Sequence, residues 1–271
     1  MCAIPKKNLN LWSGFITQAI SKNLKVIFHR TLLKIAHIIN PVKVSANVDL
    51  FFAQPITFES IRAAKRFSGD TDDIRLYTTQ FEEDRSIIPD GFTQLSNLKK
   101  SVLDVNTELQ GKKLPLIKDI LFKIKETEQA DYVIFTNMDI ALMPYFYDTV
   151  FEYLNAGHDA VVINRRRISD QYRKVEELPL MYAALGKSHP GFDCFVFKTA
   201  LLEKFVLNDI CVGISFLEAA LVHNIFSFAE KPLFIPDAHL TFHLGMDVLV
   251  PRNNAFYRHN RKIFFQEIYP V

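Results

Sequence analysis

Apolar residues recur along this chain at two different spacings. From Phe15 to Asn40 the spacing is helical: Ile16, Ile20, Leu24, Ile27, Ile35 and Ile38 share one half of a wheel, and Lys22, Lys25, His29, Arg30, Lys34 and His37 share the other. Pro41 ends the pattern. Residues 1–41 therefore predict an N-terminal basic amphipathic helix, either packed on the rest of the chain with a solvated basic side or resting on an anionic membrane surface. Beyond it, strand and helix patterns alternate. Strands are expected at Val44 to Ala53, Ile74 to Thr79, Phe92 to Leu95, Asp131 to Phe135, Ala160 to Ile163, Cys194 to Phe197 and Leu240 to Phe242. Helices are expected at Ile56 to Phe67, Lys113 to Gln129, Tyr145 to Leu154, Ala200 to Phe205 and Phe216 to Phe228. This order predicts an α/β chain: one three-layer α/β/α domain over residues 42–271 with a mainly parallel sheet. Ligands in such sheets bind outside the carboxyl ends of the strands.

Composition narrows the class. Hydrophobic residues make up 49% of the 271 positions, Phe alone accounts for 24, and the formal net charge is only +2, so the total charge gives no sign of a nucleic-acid partner. Cys2, Cys194 and Cys211 are too scattered for a disulfide framework or a zinc site, which fits a reducing compartment. Without a secretory signal or an apolar run long enough to span a bilayer, the expectation is a cytoplasmic protein, with peripheral contact at the inner membrane face if the basic helix docks there. Gly186 and Gly191 have P-loop spacing, but Phe192 stands where Lys is needed; G-x-G-x-x-G, G-x-S-x-G and H-E-x-x-H are absent too.

The most informative stretch is Asp131-Tyr-Val-Ile-Phe-Thr-Asn-Met-Asp-Ile140, an apolar strand that runs straight into polar groups. Asn137 and Asp139 lie two residues apart, hence on one side of an extended chain, where they offer hard oxygen ligands to Mg²⁺ or Mn²⁺ bridging a diphosphate. The competing reading is a turn closed by Asn137 and capped by Asp139. Gly191-Phe192-Asp193 is a tight turn that presents one carboxylate, either to orient or deprotonate an acceptor hydroxyl or merely to cap the turn. Arg165, Arg166 and Arg167 follow the Ala160 strand and suit the neutralisation of a departing diphosphate; alternation turns one or two of them elsewhere. Arg252, Arg258, Arg261 and Lys262 form a second basic group, a flexible tail closing over the diphosphate or a solvated surface.

The Asn137–Asp139 stretch, with its preceding strand and helix, resembles the D-x-D region of GT-A-fold glycosyltransferases, with Asn137 in place of the first acid. His189-Pro-Gly-Phe-Asp-Cys-Phe-Val-Phe197, Leu240-Thr-Phe-His-Leu-Gly245 and Asn164-Arg165-Arg166-Arg167 resemble segments of a bacterial GT-A-like group of undefined substrate, so the likeness runs from about Val44 to Asp247. The resemblance implies a nucleoside diphosphate sugar donor and a hydroxyl acceptor, a glycan or lipid-linked glycan among them. It implies a cation held by Asn137, Asp139 and His243, with His239 as the rival of the last. It places the nucleoside near Gln54, Lys118 and Asp119; Arg165 and Arg166 are the expected donor contacts, His189 beside Pro190 is a substrate-binding candidate, a base or an exposed loop residue, and Asp193 is expected beside the acceptor. The expected activity is glycosyl transfer with Mn²⁺ or Mg²⁺; the rivals are a non-catalytic binding protein of the same fold and a membrane-surface adaptor.

Overall fold

The computed structural model describes residues 33–69, 73–127, 130–245 and 251–271. The expected basic helix before Leu33 lies outside them. Its C-terminal part does not: Ile35–Ile39 is strand β1, buried throughout and paired in parallel with Ile74–Thr78 (β2) on one side and Tyr132–Thr136 (β4) on the other. Residues 35–41 thus belong to the α/β unit, which runs from Lys34 to Val271, and the expected boundary at 41/42 moves back. Ile-Ala-His-Ile-Ile fits a helical wheel and a buried strand equally well, and pairing on both edges decides for the strand. His37 occupies this strand without a polar penalty, because Tyr147 Oη lies 2.7 Å from Nδ1 and Thr136 Oγ1 3.0 Å from Nε2.

A second expectation changes with it. Val44 to Ala53 is not a strand; helix α1 spans Leu50–Phe67 with Pro55 inside it. Proline there removes the donor for the Phe51 carbonyl, a tolerable loss because Phe51 is exposed and the position is still in the second helical turn.

The sheet has nine strands in the order β3-β2-β1-β4-β7-β6-β9-β5, with β8 on β6. The remaining strands are β3 (Thr93–Gln94), β5 (Ile140–Leu142), β6 (Ala160–Arg167), β7 (Lys187–Lys198), β8 (Pro232–Ile235) and β9 (Thr241–His243). Pairing is parallel except where β7 meets β4 and β6 and where β5 meets β9. The short helices α2 (Val102–Val105) and α3 (Ile117–Phe122) precede β4, α4 (Phe146–Asn155) follows β5, and α5 (Leu178–Ala183) lies between β6 and β7. Only the part of Lys113 to Gln129 from Ile117 onward is helical, ending in a 3₁₀ turn at Lys123–Glu126, and a 3₁₀ turn replaces the helix expected at Ala200. Helix α6 spans Leu217–Phe228 and α7 spans Ala255–Ile263.

Ala36, Ile38, Val133, Phe135, Val162, Phe195 and Phe197 pack against Ile117, Ile120 and Leu121 of α3 and Leu217, Leu221 and Ile225 of α6. On the opposite face His37 meets Tyr147 of α4, and Ala53 and Ile56 of α1 pack with Ala141, Met143 and Phe242. The result is a mixed, mostly parallel sheet flanked by helices, the three-layer architecture the alternation predicts. No helix among the described residues is long and apolar enough to cross a membrane.

Candidate active site

At the carboxyl end of β4 the chain turns once and enters β5. Asn137 O accepts from Ile140 N at 3.2 Å, and Asp139 O accepts from Leu244 N at 2.8 Å. Strand β9 therefore clamps the turn, and the register Ile140↔His243 brings His243 beside Asp139. His243 Nε2 lies 3.3 Å from Asp139 Oδ2. His239 belongs elsewhere: it has positive φ, and its carbonyl accepts from Tyr145 Oη at 2.8 Å.

Strands β6 and β7 supply the neighbouring wall. Ile163 pairs with Cys194 and Asn164 with Phe192, so Asp193 is an extra residue on β7, a bulge that re-aims its side chain. That carboxylate is buried: Oδ2 accepts from Arg165 Nη1, and Oδ1 accepts from Asn137 Nδ2 at 3.0 Å. Asp193 does reach the Asn137–Asp139 turn, as its place in the sequence suggests, but as the counterion of Arg165 and not as a carboxylate open to an acceptor. Gly191 makes this packing possible, since a Cβ there would stand 2.9 Å from both Arg165 Nη1 and His189 Nδ1.

The three arginines lie within β6 and not past its end. Arg165 and Arg167 both act electrostatically on His189, which puts their charges on its side of the sheet. Arg166 turns the other way, 3.3 Å from Asp237 Oδ1 and 3.4 Å from the Gly186 carbonyl, so it points away from Arg165, with which it was expected to share a phosphate. His189 is a strand residue whose Nδ1 accepts from Gly191 N at 2.9 Å. Burial, then Arg165, Arg167 and His243, push its pKa down to about 4, so it is a neutral imidazole near neutral pH.

The nucleoside positions fare unevenly. Gln54 sits in α1, 4% exposed, with Oε1 accepting from Val42 N and Nε2 donating to Val42 O, both at 2.8 Å. Its amide is committed to the backbone and is not a base reader. Lys118 and Asp119 occupy the first turn of α3, the helix that leads back to the start of β4, so they lie toward the sheet edge where β4 ends. Neither makes a described bond to the Asn137–Asp139 group. Arg258, Arg261 and Lys262 belong to α7, an ordered helix and not a flexible tail.

One residue escaped the sequence reading. Glu218 lies in the first turn of α6 and has its carboxyl raised by burial, with the charge of Asp139 adding to the rise and that of Arg165 opposing it. Two residues earlier Phe216 adopts left-handed backbone at φ 79°, costly for a side chain of this size and a usual mark of a site. Tyr257, Phe264 and Phe265 hold it, with ring centroids 5.3, 5.5 and 5.7 Å away. The available signal was an acid at the start of an expected helix at Phe216, just after Gly213; Arg165, whose charge acts on it, lies too far back in sequence to be associated with it.

Among the described residues no group of three His, Cys, Asp or Glu side chains is arranged as a closed metal cage. Asp139 and His243 stand side by side at the turn, and Asn137 gives its amide nitrogen to Asp193, so its hard donor there is the amide oxygen.

No family model and no curated protein sequence matches the chain. Solved structures do. S. aureus TarS (residues 1–349) in complex with UDP-GlcNAc matches over 85% of this chain and 65% of that one, with 11% identity and a TM-score of 0.51. Glucosyl-3-phosphoglycerate synthase from Mycobacterium tuberculosis in complex with phosphoglyceric acid matches over 87% and 80%, with 14% identity and a TM-score of 0.50. The fold is GT-A-like. The chain spans 60% and 65% of two TarS structures, less than two thirds of their length. At these identities the likeness is one of fold.

Proposed function

We propose that this chain transfers a sugar from a nucleoside diphosphate donor to a hydroxyl acceptor. The observation that carries this reading is the Asp139–His243 pair at the carboxyl edge of the sheet, next to the buried network in which Asp193 joins Arg165 to Asn137. Asp139, His243 and the Asn137 oxygen would hold Mn²⁺ or Mg²⁺, which when bound neutralises charge on the diphosphate. Arg165 and Arg167 add fixed positive charge on the side of His189. Glu218 takes the acceptor proton while the acceptor oxygen bonds to the anomeric carbon and the bond to the diphosphate breaks, the electron pair leaving with the diphosphate. Asp193 serves this site as a positioning residue: it fixes the guanidinium of Arg165 and the amide of Asn137.

Thermal melting with common nucleoside diphosphates, with and without Mn²⁺, tests the donor site. The expected result is a larger rise with Mn²⁺, about 2.7 kcal/mol of added stability at a hundredfold excess over Kd. No shift with any nucleotide would refute the assignment. A second reading, a non-catalytic nucleotide-sugar binder, draws support from Asn137, which brings no charge and gives its amide nitrogen to Asp193. Donor hydrolysis in the presence of Mn²⁺ separates the two.

A further inference from the structure

Helix α7 continues through one π-helical turn, Phe264–Ile268. Phe256, Asn260, Ile263, Phe264 and Ile268 are buried. Asn260 is committed to the backbone, with Oδ1 accepting from Cys211 N and Nδ2 donating to Cys211 O, each at 3.0 Å. What faces outward is Arg258, Arg261, Lys262, Phe265 and Tyr269, all exposed. Their spacing of three and four residues puts them in one stripe along the helix.

Scattered exposed apolar residues are ordinary; this group is contiguous. Phe265 and Tyr269 are 47% and 60% exposed, with ring centroids 6.2 Å apart. Tyr269 also meets His223 of α6 at 5.6 Å, one turn before the exposed Phe226. The Arg261 guanidinium lies 5.2 Å from the Phe265 ring centre. The acid in this turn, Glu267, accepts instead from Asn208 Nδ2 at 2.7 Å.

We propose that this face rests on a bilayer surface bearing anionic headgroups. Exposed aromatic rings suit the headgroup boundary, and long cationic side chains reach from there to lipid phosphates. A second copy fits worse, since a two-fold contact would set Arg258, Arg261 and Lys262 against their own equivalents. The proposal does not depend on the reaction.

The test is sedimentation of the full chain with phosphatidylcholine vesicles, with and without phosphatidylglycerol. Binding is expected only on the anionic vesicles and should weaken as salt rises. At about fivefold per surface cation, the triple variant Arg258→Gln, Arg261→Gln, Lys262→Gln should lower the partition coefficient about a hundredfold with its melting temperature unchanged. Phe265→Ser with Tyr269→Ser should weaken binding as well. Three results would overturn the proposal: wild-type protein that ignores both vesicles, a triple variant that binds as wild type does (so that another segment, residues 1–33 first among them, carries the contact), or a dimer in sedimentation equilibrium that Phe265→Ser dissociates.

Discussion

Asp193→Ala removes a carboxylate in direct ion-pair contact with Arg165. The Arg165 side chain is 13% exposed and that of Asp193 4%, so water does not replace the lost partner. Breaking a buried pair from one side leaves an uncompensated charge and costs about 3–5 kcal/mol. The lower end applies here, because Asp139 and Glu218 also lie close enough to stabilise the cation. For a domain of this size about 3 kcal/mol lowers Tm by about 6–12 °C. Circular dichroism melts and urea titrations measure the loss. Asp193→Asn should be nearly as harmful, since an amide offers one acceptor where the carboxylate uses two and carries no charge. Asp193→Ala combined with Arg165→Met should recover part of the loss by removing the orphaned cation. A residue acting only as a base predicts the opposite pattern: normal melting and lost transfer. An Asp193→Ala protein that melts within 2 °C or so of wild type would refute the ion-pair reasoning.

Glu218→Gln should lower transfer about 10²–10⁴-fold with donor affinity retained, and an unchanged rate would remove Glu218 as the base. Because burial raises its carboxyl, the folded chain binds that proton more tightly than the unfolded chain. Its contribution to stability therefore falls as pH rises from the ordinary glutamate value of 4.5 through the folded one, and Glu218→Gln should abolish this slope. His37 works in the reverse sense: burial pushes it from 6.5 down to about 3, so stability falls as acid protonates the unfolded chain across that window. The slope is at most about 1.4 kcal/mol per pH unit, and His37→Gln should reduce it in urea titrations run from pH 7 to pH 4. Gly191→Ala should displace the Arg165 guanidinium at a cost of about 1–3 kcal/mol and weaken nucleotide binding; unchanged stability and affinity would mean that the guanidinium moves aside freely.

The sequence by itself determined the class of this protein. Strand β4 is legible because Tyr132–Thr136 is a short apolar run with turn signals beyond it, and such runs fall in the middle of parallel sheets. The polar turn at Asn137–Asp139 follows at once, so the ligand-binding edge was readable from one continuous segment. Helices α4 and α6 were readable for a similar local reason, since each buries one stripe at helical spacing. Where the pattern was ambiguous, tertiary structure decided. Ile35–Ile39 is a strand because β2 and β4 satisfy both of its edges, and Leu50–Phe67 is a helix despite Pro55 because its apolar side packs on Ala141 and Phe242. The site was decided in the same way. Arg165 meets Asp193 only because β6 and β7 run antiparallel through a bulge, and Glu218 joins them only because the strained turn at Phe216 is held by rings of α7 and the turn after it. A carboxylate in sequence carries its chemistry; whether it serves as counterion or base depends on which charge the fold sets beside it and how much water remains.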